Sequence, residues 1–364
     1  MKIVVVSAVS LTEAGGNTIL NECLDSAARC LPTNWRIIAL VNRAPSICNE
    51  RIQFLAFPSA KRSWLLRLYW EWLGFYVLAR RLQPHLWLSL HDITPRLPPC
   101  TQIVYCHNPA PFYKITPLEA LLSPGFFAFN FLYAHLYKIF IRRNHSIIVQ
   151  QSWLRDEFIK RFGKLPLVVA HPSVTIKTEA ISKLHVHNSP VRFLYPSLPR
   201  VFKNFEILGE AVSILNQVSV LDFELYLTID GTENLYSRYI HRRYRHFAQL
   251  KFVGRQSSVQ MHDLYSSTDV VVFPSKLETW GLPLSEAKAY SSIILASDLP
   301  YARETVGSYD RVSFFPARSA IKLAHLMTEI IQGRWRPSGN MQIPVGDPFV
   351  SGWPSLWKYI CQAI

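Results

Sequence analysis

Short apolar runs alternate with longer helical patterns along the whole chain, and this alternation constrains the fold more than any other sequence feature. In the first half the strand candidates are residues 3–7, 36–41, 86–90, 102–106, 146–150 and 167–170. Helical patterns separate them at residues 18–30, 63–82, 127–143 and 153–162. Buried strands joined by helical crossovers predict a parallel sheet with helices on its faces.

The alternation restarts after a polar, irregular stretch at residues 175–190, which we interpret as a linker. Strand candidates follow at residues 191–195, 224–229, 250–253, 270–273, 293–296 and 312–314, and helices at 204–216, 257–267, 284–290 and 320–332. A length of 364 residues suits two domains. We predict an α/β protein with two doubly wound, Rossmann-like domains, residues 1–180 and 181–345, facing a cleft. A C-terminal helix within residues 346–364 is expected to return to the first domain.

The charge is positive and unevenly distributed. The chain has 39 Lys and Arg against 25 Asp and Glu, and residues 1–185 hold 21 of the basic and 10 of the acidic side chains. This bias suits an anionic membrane, an acidic glycolipid or a nucleic acid. A nucleic-acid-binding protein is therefore an alternative, although the sequence has no helix-turn-helix, RNA-recognition or zinc pattern.

The six cysteines form no C-x-x-C pair, which disfavours a zinc site or a redox motif. The opening residues MKIVVVSAV pass directly into a strand pattern without the apolar region of a signal peptide, so we expect a reducing, cytosolic location. The most apolar long stretch, residues 118–141, is interrupted by Pro124, Asn130, His135 and Lys138. We expect a buried or interfacial helix there rather than a membrane span.

Residues 61–83 are dense in tryptophan and basic side chains. Helical spacing places one apolar set on a single face, which we predict to be mostly core: Leu65, Leu68, Tyr69, Trp72, Tyr76 and Ala79. The remaining side chains suit docking at a lipid headgroup layer: Trp64, Trp70, Arg62, Arg67, Arg80 and Arg81.

The strongest functional signal is FPSKLETWGLPLSEAKAYSSIILASDLP, residues 273–300. A buried strand leads into a loop with Glu278, then Gly281 and Leu282, a helix start at Pro283, and Glu286 in the predicted first turn. A helix N-terminus after a glycine offers free amides and a positive dipole end, which bind phosphate. Two interpretations of the glutamates remain open: both face one cleft, or they are a solvated loop acid and a complement to the helix dipole.

The segment resembles the signature of the retaining, metal-independent glycosyltransferases of family 4, in which two glutamates flank a glycine-rich turn. The resemblance continues upstream in KFVGRQSSVQMHDLYSSTDVVVFPS, residues 251–275, and in Asp230-Gly231. It continues downstream in ASDLPYARETVG, residues 296–307, and is specific over residues 190–310. It implies the GT-B arrangement of two Rossmann-like domains, and it implies sugar transfer from a nucleotide-sugar donor.

By this resemblance, Glu286 binds the ribose hydroxyls of the nucleotide, since a carboxylate can accept both hydrogen bonds of a diol. Glu278 holds hydroxyls of the donor sugar and acts in catalysis. The amides of Gly281 and Leu282 contact the sugar and the diphosphate.

The family also places a basic pair after the first strand of its second domain, and YPSLPRVFKNFE, residues 195–206, occupies that position. Lys203 matches the lysine, but Leu198 stands where an arginine is expected, so Arg200 is the candidate second cation. The backbone near Val253 is expected to contact the base, and such a contact leaves little trace in side-chain identity. The sequence does not identify the base, the sugar or the acceptor hydroxyl.

Two features of the first half match the family more weakly. In AGGNT, Gly15 and Gly16 follow the first strand and open a helix, where the family's glycine loop approaches the diphosphate and the acceptor. His107 ends a strand in YCHNPAPFY, where the family often has a histidine close to the donor sugar, and we predict a catalytic role for it.

The predicted activity is retaining glycosyl transfer to a lipid-linked or lipopolysaccharide-type saccharide, such as an O-antigen, without a metal or other cofactor. The sequence contains no D-x-D motif, which argues against the metal-dependent type. The expected location is peripheral, at the inner face of the cytoplasmic membrane. A nucleotide-sugar epimerase of similar fold remains an alternative, whereas AGGNTI lacks the G-x-G-x-x-G of a dehydrogenase.

Overall fold

The computed structural model describes residues 2–11, 14–43, 49–173 and 190–362. The chain divides into two compact units: unit 1 is Met1–Phe112, Asn130–Ser173 and Val345–Ile364, and unit 2 is Tyr113–Phe129 and Val174–Pro344. Residues 113–129 therefore belong to unit 2, although sequence analysis assigned them to a first domain. The linker predicted at residues 175–190 lies outside the described residues, apart from Pro190.

The secondary structure of the described residues alternates throughout. The strands are β1 (Lys2–Ala8), β2 (Trp35–Val41), β3 (Ile52–Ala56), β4 (Leu86–Ser89), β5 (Thr101–Cys106), β6 (Ser146–Val149), β7 (Leu167–His171), β8 (Val191–Tyr195), β9 (Phe223–Leu227), β10 (Leu250–Phe252), β11 (Val270–Phe273), β12 (Ile293–Ser297), β13 (Val312–Phe315) and β14 (Phe349–Ser351). The α-helices are α1 (Ala14–Cys30), α2 (Trp64–Tyr69), α3 (Phe75–Leu82), α4 (Pro117–Leu122), α5 (Pro124–Lys138), α6 (Ser152–Phe162), α7 (Phe205–Gln217), α8 (Leu235–Tyr244), α9 (Ser258–Ser267), α10 (Leu282–Ala289), α11 (Pro300–Val306), α12 (Ala320–Ile331) and α13 (Gly352–Gln362).

Unit 1 contains an eight-stranded parallel sheet in the order β14-β7-β6-β5-β4-β1-β2-β3. Its central strands are fully buried runs such as Val4, Val5 and Val6, as expected for a sheet covered on both faces. The C-terminal helix α13 packs on α1, and its Trp357 donates from Nε1 to the carbonyl oxygen of Cys23 at 3.0 Å. The strand order reverses at β1, which lies between β4 and β2.

Unit 2 contains a six-stranded parallel sheet in the order β10-β9-β8-β11-β12-β13. All four residues of β11 are buried, and α7 and α12 pack against each other in this unit. The order reverses at β8, so the connections that follow β8 and β11 leave the sheet in opposite directions. Such a reversal opens a crevice at the carboxyl ends of the two strands, where doubly wound folds bind ligands.

The helix predicted over residues 63–82 is interrupted. It consists of α2, a π-helical turn at Trp70–Gly74 and α3. The predicted core face is wrong in part, because Leu65 and Tyr69 are exposed. Ala79 is buried as predicted, and Phe75, which was not predicted, is buried with it. The added residue in the wider π turn rotates the face that meets the sheet. No helix of the described residues has the length and apolarity that a bilayer crossing requires.

Candidate donor site

Two loops meet at the point of unit 2 where the strand order reverses. The loop after β8 ends in a short 3₁₀ turn, Val201–Lys203, and the loop after β11 runs to the start of α10. The two loops are joined by a backbone hydrogen bond, in which the amide of Lys276 donates to the carbonyl oxygen of Phe202 at 2.8 Å. The topology thus brings together Lys203 and Glu278, which are 75 residues apart in sequence.

Lys203 and Glu278 form a direct ion pair, with Nζ and Oε1 2.5 Å apart and both side chains mostly buried. The ammonium also lies 5.7 Å from the ring centroids of Phe202 and Phe273, close enough for cation–π attraction. The hydroxyl of Tyr195 donates to the carbonyl oxygen of Lys203 at 2.7 Å, which fixes the backbone of the turn. A cation is therefore held beside a carboxylate at the carboxyl ends of β8 and β11.

Asn204 fixes the same turn from the other side. It adopts a left-handed conformation with φ of 61°, and its amide Nδ2 donates to the carbonyl oxygens of Pro274 at 3.0 Å and Ala317 at 2.9 Å. Asparagine tolerates this conformation better than most residues. The residue thus ends the turn and starts α7 while tying it to the loop after β11.

Gly281 forms the junction between the loop after β11 and α10. Its φ of 83° is in the left-handed region, and a Cβ there would lie 3.3 Å from Cε1 of Phe273. The N-cap residue Gly281 has no side chain with which to cap α10, and a helix N-terminus without such a cap favours an anionic ligand. The helix starts at Leu282, and Glu286 is its fifth residue, so the prediction of Glu286 in the first turn is wrong. Pro283 is the second helical residue rather than the first.

Glu286 is separate from the ion pair and has its own partner. Its Oε2 accepts a hydrogen bond from the hydroxyl of Tyr265 at 2.5 Å. Burial raises the pKa of the Glu286 carboxyl, and the hydrogen bond from Tyr265 opposes that rise. Tyr265 stacks on Tyr290 with ring centroids 5.1 Å apart, which holds its hydroxyl in place. The arrangement presents a half-buried carboxylate acceptor on α10.

Arg200 and Val253 also lie in unit 2, in different settings. Arg200 is exposed and immediately precedes the 3₁₀ turn that carries Lys203. The amide of Val253 donates to the carbonyl oxygen of Leu227 at 3.0 Å, and its carbonyl accepts from Nε2 of Gln256 at 2.6 Å. The backbone of Val253 is thus already hydrogen-bonded, which leaves the second lone pair of its carbonyl for a ligand.

A second charged cluster ties residues 113–129 to unit 2. Lys276 lies 3.2 Å from Oε1 of Glu119 and 3.0 Å from Oε1 of Glu206. Glu119 also closes a capping box with Thr116 at the start of α4, and it accepts from the hydroxyl of Tyr113 at 2.7 Å. These hydrogen bonds outweigh burial and lower the pKa of Glu119.

The candidates Gly15, Gly16 and His107 belong to unit 1. Gly15 and Gly16 are the second and third residues of α1 rather than a loop before it, and a Cβ on Gly16 would lie 3.2 Å from Cβ of Leu11. His107 follows β5, and its amide donates to Oδ1 of Asp92 at 2.7 Å. The ring Nδ1 of His107 is buried with no hydrogen-bond partner among the described residues.

A buried polar chain lies at the strand-order reversal of unit 1. Oγ of Ser7 is 2.9 Å from Nε2 of His91, and Nδ1 of His91 is 3.2 Å from Oε1 of Glu71 in the π turn. Burial raises the pKa of Glu71 to about 8 despite Arg67 at 3.8 Å, and burial lowers the pKa of His91. Burial thus favours the neutral form of each of these two side chains.

Sequence reasoning missed the residues that hold the candidates in place. Tyr265 supports Glu286, Tyr301 anchors the loop through the carbonyl oxygen of Ser275 at 2.7 Å, and Asp92 fixes the backbone of His107. Tyr265 and Tyr301 occupy helix positions that are indistinguishable from core aromatics in the sequence. Asp92 carried a signal in the sequence, since it closely follows a predicted buried strand. In the structure its φ is 69°.

Residues 177–342 match the family model described as glycosyl transferases group 1. The chain carries a group 1 glycosyltransferase domain. This domain includes the ion pair, the start of α10 and Glu286. None of the curated proteins compared with the chain matches it significantly. In the described residues, no group of three or more His, Cys, Asp or Glu side chains is placed to hold a metal ion.

Solved structures that cover about nine-tenths of the chain have a similar fold. Sucrose-phosphate synthase from Thermosynechococcus elongatus has a TM-score of 0.66 at 15% identity, covering 92% of this chain and 90% of that one. WaaG, described as a glycosyltransferase involved in lipopolysaccharide biosynthesis, has a TM-score of 0.67 at 11% identity and covers 90% of each chain. HepE from Anabaena, in complex with UDP-glucose, has a TM-score of 0.63 at 16% identity, covering 92% of this chain and 91% of that one. The fold is GT-B, as predicted.

Proposed function

We propose that this protein is a retaining glycosyltransferase that moves a sugar from a nucleotide-sugar donor to a saccharide acceptor of the lipid-linked or lipopolysaccharide type. The observation that carries the proposal is the Lys203–Glu278 ion pair beside the open N-terminus of α10 in the group 1 domain. The similar fold of HepE, which was solved with UDP-glucose, supports a nucleotide-sugar as the donor.

Each part of the donor has a complementary group in unit 2. The carboxylate of Glu286 accepts hydrogen bonds from the ribose diol, and the amides of Gly281 and Leu282 donate to the diphosphate at the positive end of α10. Glu278 accepts from the sugar hydroxyls. Lys203 supplies a cation for the diphosphate, and its pairing with Glu278 keeps it at the site before the donor arrives.

The reaction needs positive charge where the diphosphate departs. Lys203, Arg200 and the N-terminus of α10 supply that positive charge without a metal ion and stabilise the negative charge that develops on the diphosphate. The acceptor hydroxyl attacks the anomeric carbon on the face from which the phosphate leaves. As the bond to the phosphate oxygen breaks, that oxygen takes the hydroxyl proton. His107, with its unpartnered Nδ1, is the candidate in unit 1 for contact with the donor sugar.

A thermal-shift panel of UDP, GDP, ADP and CMP tests the donor assignment. One nucleoside diphosphate should raise the melting temperature in proportion to the logarithm of its concentration, because a ligand that binds only the folded state stabilises it. No shift with any nucleotide would contradict the proposal. Product analysis with the matching nucleotide-sugar then separates transfer to a saccharide, with the anomeric configuration kept, from epimerisation of the donor.

We place the protein at the inner face of the cytoplasmic membrane, bound peripherally, because a lipid-linked acceptor is presented there. The excess of basic over acidic side chains in residues 1–185 supports this location.

A further inference from the structure

One helical segment of unit 1 exposes a continuous row of large apolar side chains. Leu65, Tyr69, Leu73 and Val77 follow at intervals of four residues along α2, the π turn and α3, and are 80%, 51%, 54% and 52% exposed. We call these four residues the apolar stripe. Single exposed hydrophobic residues are ordinary, whereas a continuous row marks an interaction surface.

The π turn keeps the stripe on one side of the segment. In a straight α-helix, residues four apart advance by about 400°, so three such steps rotate a row by roughly a third of a turn. A π turn takes more residues per turn and reverses part of that drift. Trp70–Gly74 lies in the middle of the stripe, and Leu73 is within it.

The helix does not need the stripe for packing in unit 1. Its opposite side buries Glu71, Phe75 and Ala79 completely. Trp70, predicted from sequence to dock at lipid, instead packs on Phe57 and donates from Nε1 to Oγ of Ser59 at 2.9 Å. The stripe is therefore apolar surface in excess of what the unit's core requires.

The charges around the stripe are of one sign. Exposed basic residues lie at both ends, Lys61 and Arg62 before α2 and Arg80 and Arg81 in the last turn of α3. Glu71 is the only acidic residue between positions 51 and 91, and it is fully buried. The surface is thus apolar along its centre and cationic at both ends.

The neighbouring helix of unit 1 continues the pattern. Phe131 and Leu132 of α5 are exposed, and the buried Tyr133 between α5 and α2 contacts Trp64 with ring centroids 5.8 Å apart. Lys138 is exposed at the end of α5. Two adjacent helices therefore present apolar side chains with a basic end.

We infer that the apolar stripe inserts into the headgroup region of an anionic phospholipid bilayer, with the flanking cations on the lipid phosphates. Apolar side chains between basic ends are the composition of helices that lie in a membrane interface. A second copy of the chain is a poorer occupant, because a two-fold contact along the stripe would bring arginine clusters together. The inference rests on the proposed function in one respect: a lipid-linked acceptor would be reached at the membrane surface.

Vesicle flotation of the full chain tests the inference. Vesicles of phosphatidylcholine alone are compared with vesicles that contain about 30% phosphatidylglycerol, at low salt and at about 0.5 M salt. The protein should float with the anionic vesicles at low salt and be released at high salt. Absence of flotation at low salt, or equal flotation with both lipids, would overturn the inference.

Matched variants locate the surface. Leu65→Ser with Leu73→Ser should reduce vesicle affinity roughly tenfold or more, since two partly inserted leucines are lost. Val259→Ser with Ile321→Ser removes equally exposed residues of unit 2, at 73% and 71%, and should leave vesicle affinity unchanged. Arg80→Gln with Arg81→Gln should weaken binding several-fold at low salt only. Parent-like flotation of the Leu65→Ser, Leu73→Ser variant would overturn the stripe as the docking surface.

Nucleotide binding is measured on the same variants in solution. It should be the same as in the parent, and an unchanged circular-dichroism spectrum and melting temperature show that unit 1 of the variants is folded. Vesicle binding without nucleotide binding in the parent would refute the proposed function and leave the docking surface in place. Nucleotide binding without vesicle binding would refute the docking surface and leave the proposed function in place.

Discussion

The two glutamates of the signature have different surroundings, and their chemistry differs accordingly. Glu278 is paired with the ammonium of Lys203 at 2.5 Å, so its charge is compensated within unit 2. Glu286 receives one hydrogen bond from Tyr265, and burial raises its pKa. Glu286 therefore offers an acceptor that faces no cation, whereas the charge of Glu278 is already shared with Lys203.

Glu286→Ala should weaken nucleotide binding by about 1.5–3 kcal/mol, because the ribose hydroxyls lose a charged acceptor. Glu278→Ala should leave free nucleotide binding nearly unchanged and lower turnover of the nucleotide-sugar. Calorimetric titration with the nucleotide and steady-state kinetics separate the two effects. Glu210→Ala, at an exposed carboxylate of α7, is the control. Parent-like nucleotide binding by the Glu286→Ala variant would show that the role assigned to Glu286 is wrong.

Lys203→Ala should reduce affinity for the nucleoside diphosphate much more than affinity for the nucleoside, because the ammonium acts on phosphate charge. Lys251→Ala, which removes a lysine paired with Glu224 on the surface of unit 2, is the control and should affect neither. Comparison of the dissociation constants of the two ligands gives the result. An equal loss for both ligands would indicate that Lys203 acts only on the structure of its loop.

At the scale of elements, the start of α10 depends on one backbone conformation. Gly281 is at φ of 83°, and the helix begins one residue later. A positive φ also occurs, without crowding, at Gly307, where φ is 61° and ψ is −133° and a Cβ would meet no atom within 4 Å. These two glycines allow backbone strain to be separated from effects on the site.

Gly281→Ala and Gly307→Ala should each lower the free energy of unfolding by about 1–3 kcal/mol, because alanine is strained at positive φ. Only Gly281→Ala should also weaken binding of the diphosphate, since it moves the amides at the start of α10. Chemical denaturation and nucleotide titration of both variants measure the two effects. Equal diphosphate affinity of the two variants would contradict the role of the α10 N-terminus.

The π turn buries Glu71 against His91 and Arg67, and this gives a pH prediction. The carboxyl has a pKa of about 8 in the fold against an ordinary 4.5, so the unfolded chain releases its proton first as pH rises. Stability should fall by about 1.4 kcal/mol per pH unit from this group between those values. Below pH 4.5 the stability that the raised pKa of Glu71 contributes is fully present, and above pH 8 it is lost.

Glu71→Gln should remove this slope and raise stability relative to the parent as pH increases through the window. Melting temperatures measured at pH 5 to 9 give the difference between the two proteins. The lowered pKa of His91 changes stability below its ordinary value of 6.5, so the slope due to Glu71 is read between pH 6.5 and pH 8. A parent-to-variant difference that is constant with pH would refute the raised pKa.

Most elements could be predicted because apolar runs and helical spacing report burial directly. The predicted strands at 191–195 and 270–273 coincide with β8 and β11, which flank the donor site. The misses have local causes: β14 is short and half-exposed, and the π turn changes helical spacing within a continuous pattern. Tyr265 was missed as a supporting residue because a tyrosine that holds a carboxylate resembles a core tyrosine in sequence.

At the scale of the whole molecule, the proposed reaction draws its positive charge from unit 2. In the proposal, Lys203, Arg200 and the α10 N-terminus neutralise the leaving diphosphate. The sequence has no D-x-D motif to bring a divalent cation with the donor.

Transfer should therefore persist when divalent cations are chelated with EDTA. The measurement is the initial rate of sugar transfer with and without the chelator. Loss of activity that Mn²⁺ restores would show that a metal ion takes part in neutralising the leaving group.

The interleaved composition of the two units has a consequence for synthesis on the ribosome. Tyr113–Phe129 emerges well before the rest of unit 2, and Lys276 follows Glu119 by 157 residues. At typical rates of elongation, Lys276 is synthesised roughly 8–30 s after Glu119. Completion of unit 1 takes longer still, since β14 and α13 follow α12 of unit 2 along the chain. Each unit therefore completes its fold only after a segment of the other unit has been synthesised.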